Sequence, residues 1–129
     1  MNSEFEHSEI TRKIIGCAME VHNCIGSGFQ EVIYQRALAL EFTRHEFSYS
    51  RETQMQIYYK FDLIGSRRVD FLVENQISVE IKAMINLDQV HLAQALNYLE
   101  AFNLRVGLLL NFVSMRLEFH RLHNRKLKM

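Results

Sequence analysis

Apolar residues recur at helical spacing early in the chain, at Ile10, Ile14, Cys17, Ala18, Val21 and Ile25. The pattern predicts an amphipathic helix over residues 9–24 with Ser8 as its N-cap. Gly26-Ser27-Gly28 ends it, Gly26 suiting the left-handed position after a helix. A second helix is predicted over residues 30–45, with Val32, Ile33, Ala37, Leu38, Leu40 and Phe42 as its apolar face. Over residues 47–59 the period drops to two, with Gln54, Gln56 and Tyr58 alternating against Met55, Ile57 and Tyr59, which reads as a strand. Residues 60–66 read as a connection turning at Gly65. Two β-branched and aromatic runs, 69–73 and 77–83, flank the polar Glu74-Asn75-Gln76 and predict a hairpin. Asp88 is a good N-cap for a third helix reaching about Phe102. The apolar run at 106–112 does not alternate, which suits a strand buried on both faces beside a parallel partner. The helix between 77–83 and 106–112 then forms a right-handed crossover. Residues 115–122 read as a last strand at an edge. The expected fold is α/β: a mixed β-sheet flanked by helices, in the order α-α-β-β-β-α-β-β.

The hairpin carries the chemistry. Side chains alternate faces along a strand, so Val69, Phe71 and Val73 share one side while Asp70 takes the other, and Val79 and Ile81 oppose Glu80 and Lys82. A two-residue loop would set Asp70 opposite Ile81 and split the polar groups across both faces. A three-residue loop with Asn75 or Gln76 in a left-handed conformation sets Asp70 opposite Glu80, so the odd loop is expected. Two converging carboxylates without histidine or cysteine partners suit a hard cation such as Mg²⁺. An adjacent lysine can orient a water and neutralise charge on a phosphate. The competing reading is a surface hairpin with a weak Glu80–Lys82 ion pair.

The pattern of Asp70 on one strand and Glu80-Ile81-Lys82 on the next resembles the PD-(D/E)xK nuclease superfamily, although no proline precedes Asp70. Gly28-Phe29-Gln30-Glu31-Val32-Ile33-Tyr34 is similar to the signature of the GxxExxY family within it. Gln94-Ala95-Leu96-Asn97-Tyr98 resembles the Gln-xxx-Tyr motif of RecB-like members. Where such relatives carry glycine after a Tyr-Lys pair, this chain has Phe61. The resemblance covers about residues 9–124 and implies a restriction-endonuclease-like fold. It also implies metal-dependent hydrolysis of phosphodiester bonds, with DNA preferred over RNA by analogy. Asp70, Glu80 and the backbone carbonyl of Ile81 would hold Mg²⁺, or Mn²⁺ in its place, with Glu31 as a further or water-mediated ligand and Lys82 positioning the attacking water. Glu31 otherwise reads as a capping residue three positions after Gly28, and Gly28 is expected to permit close approach.

Arg67 and Arg68 flank the site, and Tyr34 lies one turn from Glu31. His91, Gln94 and Tyr98 form one stripe on the third helix. Gln94 and Tyr98 could bind phosphate or nucleobase, or belong to a half-exposed face. His91 has no second ligand at zinc spacing on this helix. The alternative function is a non-catalytic module of the same fold that binds nucleic acid or a protein partner.

Composition narrows the rest. A chain of 129 residues, 48% hydrophobic and 23% charged, fits one globular domain over 1–129. It has neither an apolar run of membrane-spanning length nor a signal-peptide pattern. Cys17 and Cys24 lie two helical turns apart, about 10 Å, too far for a disulfide, and suit a reducing, cytoplasmic setting. A net charge of zero is not that of a dedicated nucleic-acid binder. Basic residues nonetheless gather over 121–129, either as a solvated tail or as a patch holding a phosphate backbone. A homodimer is open, since cutting both strands of a duplex often takes two sites.

Overall fold

The computed structural model describes residues 3–128, with side chains described from His7 onward. Eight elements follow in the expected order: α1 (Ser3–Ile25), α2 (Glu31–Arg44), β1 (Tyr49–Tyr59), β2 (Asp62–Val73), β3 (Ile77–Lys82), α3 (Gln89–Ala101), β4 (Val106–Asn111) and β5 (Glu118–His123). The five strands form one mixed sheet in sequential order. β3 and β4 are parallel, and every other neighbouring pair is antiparallel.

The sheet is covered on both sides at β3 and β4. Ile14, Ala18 and Val21 of α1 and Tyr34, Leu38 and Phe42 of α2 pack with Phe71, Val79, Ile81, Leu108 and Leu110 in one buried cluster. Tyr34 stacks on Phe112, centroids 4.5 Å apart, and Phe42 meets Phe71 edge to face. On the other side α3 presses Leu99 against β4 at Gly107. A Cβ there would fall 2.5 Å from Ser78 Oγ and 2.9 Å from Leu99 Cδ2, so only glycine fits. With a helix layer on each face, all six residues of β4 are buried, as its unbroken apolar run predicts.

Several boundaries differ from the sequence reading. α1 runs straight through Ser8, whose carbonyl accepts a bond from Thr11 Oγ1, so Ser8 is not its cap. The buried face of α2 is set by Tyr34, Leu38 and Phe42, each one turn apart, which leaves Val32 and Leu40 exposed. Gly26 takes the left-handed conformation after α1, with φ +72°. β2 begins at Asp62, not after Gly65. The turn is Lys60-Phe61, both residues at positive φ, and Gly65 lies inside the strand beside a register shift. Two left-handed residues match the twist of a two-residue hairpin, but neither residue type signals it.

Because β2 and β3 pair only from Phe71↔Val79 to Val73↔Ile77, the long β1–β2 ribbon runs out past β3. The hairpin loop is the odd one. Val73 pairs with Ile77, and Gln76 N–H donates to Val73 O at 2.9 Å. The left-handed residues are Glu74 and Asn75, at φ 54° and 53°; Gln76 is not one of them. No helix among the described residues is long and apolar enough to cross a membrane. Cys17 is buried, Cys24 exposed, and both are free.

Candidate metal centre and its surroundings

Where β2 and β3 part, Asp70 fills the gap. Its Oδ2 accepts from the Ile81 N–H at 2.7 Å, a donor that a continued ladder would have given to the β2 backbone. A strand residue points its N–H and C=O to the same side. The Ile81 carbonyl therefore also faces this opening, while the next carbonyl, Lys82 O, accepts from Phe112 N beyond β4 at 3.0 Å. Asp70 Oδ1 accepts from Gln35 Nε2 of α2 at 3.0 Å, and Gln35 Oε1 accepts from Arg51 of β1 at 2.7 Å. The arginine thus orients the amide so that its NH₂ faces the carboxylate.

Strict alternation does not survive this opening. Phe71 and Val73 belong to the cluster under α1 and α2, but Val69 is buried outside it. Arg67 lies on the α3 side, its guanidinium 4.0 Å from the Tyr98 ring centroid. The strand changes sense at Asp70, opposite the left-handed Glu52 (φ 49°) of β1. As a result Asp70 is reached from α2, while Glu80 faces Arg67 on the α3 side.

Glu80 has a side chain only 9% exposed, and its one polar contact among the described residues is Arg67 Nη2 at 3.9 Å. Burial pushes its carboxyl up from 4.5 to about 7, against the pull of Arg67 and Lys82 and with a smaller push from Asp70. Asp70 is also raised by burial, opposed by its bonds to Ile81 and Gln35 and by the charge of Lys82. The two acids and Lys82 thus sit close enough to feel one another's charge. The Lys82 ammonium forms no hydrogen bond or ion pair among the described residues. Its neighbour in register, the fully buried Asn111, fixes the chain beyond β3 by accepting from Met84 N–H (3.1 Å) and donating to Met84 O (2.9 Å).

The remaining predicted residues scatter around this centre. Glu31 is exposed in the first turn of α2, and its side chain forms no hydrogen bond or ion pair among the described residues; it lies one turn from Gln35, on the same face. It caps nothing from Gly28, because the N-cap is Gln30 and no side-chain cap bond forms. Gly28 does not serve close approach, since an added Cβ would meet nothing within 4 Å; its φ of +106° is what calls for glycine. Tyr34 turns into the core, its hydroxyl donating to Gly26 O at 2.6 Å. Tyr98 donates to the Arg68 carbonyl, tying α3 to β2, and burial pushes its phenol up to about 12.

The Arg68 side chain is exposed. So is Gln94, whose backbone carbonyl, not its amide, accepts from Arg67 Nη1 at 3.3 Å. His91 closes a capping box at the start of α3, Nδ1 accepting from Asp88 N–H at 3.3 Å. Gln35 and Arg51 escaped the sequence reading, and Arg67 counted there only as a flanking charge. The one available signal was position: Gln35 is a polar residue one turn from Glu31 in an otherwise apolar helix face.

A family model described as the PD-(D/E)XK nuclease superfamily matches residues 8–122. The solved structure titled "Crystal structure of SSO0001" is similar with a TM-score of 0.57 and 19% identity, covering 71% of this chain and 48% of that one. At that identity the likeness bears on the fold alone, and this chain spans about half of the other's length. No curated protein matches the chain. Because the family match runs from α1 into β5 and takes in the whole β2–β3 hairpin, the chain belongs to the PD-(D/E)XK nuclease superfamily.

Proposed function

We propose that the chain is a metal-dependent nuclease that hydrolyses phosphodiester bonds, in DNA rather than RNA. The observation that carries this reading is Glu80, a carboxylate with 9% side-chain exposure and, among the described residues, no partner nearer than Arg67 at 3.9 Å. A largely buried acid without a hydrogen bond from the protein is costly when ionised, and a cation in the opening beside Asp70 would compensate it. The donor set fits a hard ion, Mg²⁺ or Mn²⁺. Glu80 and Asp70 supply carboxylate oxygens, the Ile81 carbonyl faces the same opening, and no histidine or cysteine competes. Glu31, one turn along α2 from Gln35, would join through a water. Bound there, the ion would lower the pKa of a coordinated water and offset charge on the scissile phosphate.

The protein's own groups do the positioning. The Arg51–Gln35 pair and the Ile81 N–H hold Asp70 at two points. Lys82, whose ammonium has no hydrogen bond or ion pair among the described residues, would direct it to the attacking water and the phosphate. Arg67 and the exposed Arg68 supply charge along the path of a phosphate backbone. Gln94 keeps its amide free for phosphate or base, while Tyr98 acts by fixing β2 against α3. The Gly28-Glu31-Tyr34 motif supports placement among GxxExxY proteins. A non-catalytic module has no physical need to keep Glu80 buried beside Asp70. Cutting both strands of a duplex would take a second copy of the chain.

Incubation with single-stranded, duplex and branched DNA and RNA, in Mg²⁺ or Mn²⁺ and in EDTA, tests the reading. Cleavage in metal alone, strongest on DNA, is expected. Absence of cleavage on every substrate, with no metal bound by calorimetry, would overturn it.

A further inference from the structure

At the opposite end of the sheet lies a second place suited to phosphate. β3 and β4 run in parallel from Ile77↔Val106 to Lys82↔Asn111, and the candidate metal centre sits at the Lys82 end. The other end, about 17 Å away along the strands, opens on a cavity of about 360 Å³. Arg105, Arg121, His7, His123, Ser8 and Thr11 line it, and no aspartate or glutamate is among the described lining residues. Its volume falls in the range of small-ligand sites and exceeds what a bare phosphate fills.

Among the described residues the arginines are held by neutral groups, and neither is paired with a carboxylate. Arg121 Nε donates to Thr11 Oγ1 at 3.1 Å, and the hydroxyl of Thr11, 1% exposed, donates in turn to Ser8 O at 3.0 Å. Arg105 is fixed through its backbone, where its carbonyl accepts from Asn124 N–H at 2.9 Å, leaving the guanidinium without an ion pair among the described residues. The carboxylate of Glu9, beside Arg121 in an adjoining hollow, is taken by Arg12 at 2.6 Å. The basic C-terminal segment is fastened to this end as well. Asn103 exchanges two bonds with the Lys128 backbone, both 2.7 Å, and Lys128 lines a neighbouring hollow with Arg105 and His7. The backbone of the segment is therefore anchored at this end, while the Arg125, Lys126 and Lys128 side chains are exposed.

From this geometry we infer that the cavity between α1, β4 and β5 is an anion site for a phosphate group, separate from the metal centre. Two guanidinium forks with no carboxylate partner among the described residues are the donors that phosphate takes. The group arrives on a free phosphate or mononucleotide, or as part of a nucleic-acid backbone passing this end of the protein.

The test is calorimetry of the full chain in EDTA, which keeps the metal centre out of play. The probes are inorganic phosphate, thymidine 5′-monophosphate and a twelve-nucleotide DNA strand, with wild type, Arg105→Gln and, as a charge-matched control outside the cavity, Arg116→Gln. Saturable binding is expected, weakened by about ten- to a hundredfold in Arg105→Gln through loss of one charged hydrogen bond and unchanged in Arg116→Gln. Arg105→Gln is preferred to Arg121→Gln because the Arg105 side chain ties down no other part of the fold. Saturation by phosphate or the mononucleotide identifies a small anion as the ligand. Binding by the strand alone, with a salt dependence reduced by about one counterion in Arg105→Gln, identifies a backbone phosphate. No saturable binding of any probe, or binding that Arg105→Gln leaves unaltered, overturns the inference. Either result is independent of whether the protein cuts nucleic acid.

Discussion

Without metal, the protein should lose stability as the pH rises from 5 to 8, and Glu80 should be the main reason. Burial raises its carboxyl from 4.5 to about 7 in the folded state. Between those values the folded protein holds a proton at Glu80 that the unfolded chain has released, so stability falls as pH rises through this window. At 1.36 kcal/mol per pH unit the full displacement is worth about 3 kcal/mol, of which about 2 to 3 kcal/mol falls between pH 5 and 8. Asp70, also raised by burial, acts in the same direction from a lower starting value. Urea unfolding in EDTA at pH 5 and pH 8 measures this directly for wild type and Glu80→Gln. The variant should lack most of the decline, and Mg²⁺ should restore wild type at pH 8 while leaving the variant unmoved. Identical pH dependence in the two proteins would refute the reasoning, because Glu80 would then carry no burial penalty for the ion to relieve.

Three further outcomes follow from particular contacts. Gly107→Ala should cost about 1–3 kcal/mol in denaturant unfolding, since the added methyl meets Ser78 and Leu99 at under 3 Å. Phe61→Gly should stabilise the protein by about 1 kcal/mol in the same assay, because Phe61 is 98% exposed and sits at φ +74°, where glycine is unstrained. Gln35→Leu, which removes the amide holding Asp70 Oδ1, should weaken Mg²⁺ binding by calorimetry about 10- to 100-fold, as losing a group that orients a metal ligand does.

Much of this arrangement was legible in the residues because local chemistry and global fold agree there. The polar break at Glu74-Asn75-Gln76, set between two apolar alternations, admitted only an odd loop, and Val73 does pair with Ile77. Asp88 caps α3, and the unbroken run in β4 lies between two helix layers. The misreadings share a different cause. Lys60-Phe61 turns through left-handed backbone with no glycine or asparagine to mark it, because the flanking strands impose the turn. Gln35 joins the site through packing of α2 on the sheet, a contact between residues 35 positions apart that no local pattern encodes. The change of sense at Asp70 arises because β2 and β3 separate, and period-two counting assumes that they do not.

Cleavage rate with Mg²⁺, on the substrate that wild type cuts best, tests the central claim most directly. Wild type, Glu80→Gln and Lys82→Ala are compared, and metal binding is followed in parallel by calorimetry. Both variants should lose cleavage by about a thousandfold or more, the scale set by removing a group that stabilises transition-state charge. Lys82→Ala should still bind the ion, and Glu80→Gln should not. Cleavage that persists at the wild-type rate in either variant would contradict the assignment of this centre as the site of hydrolysis.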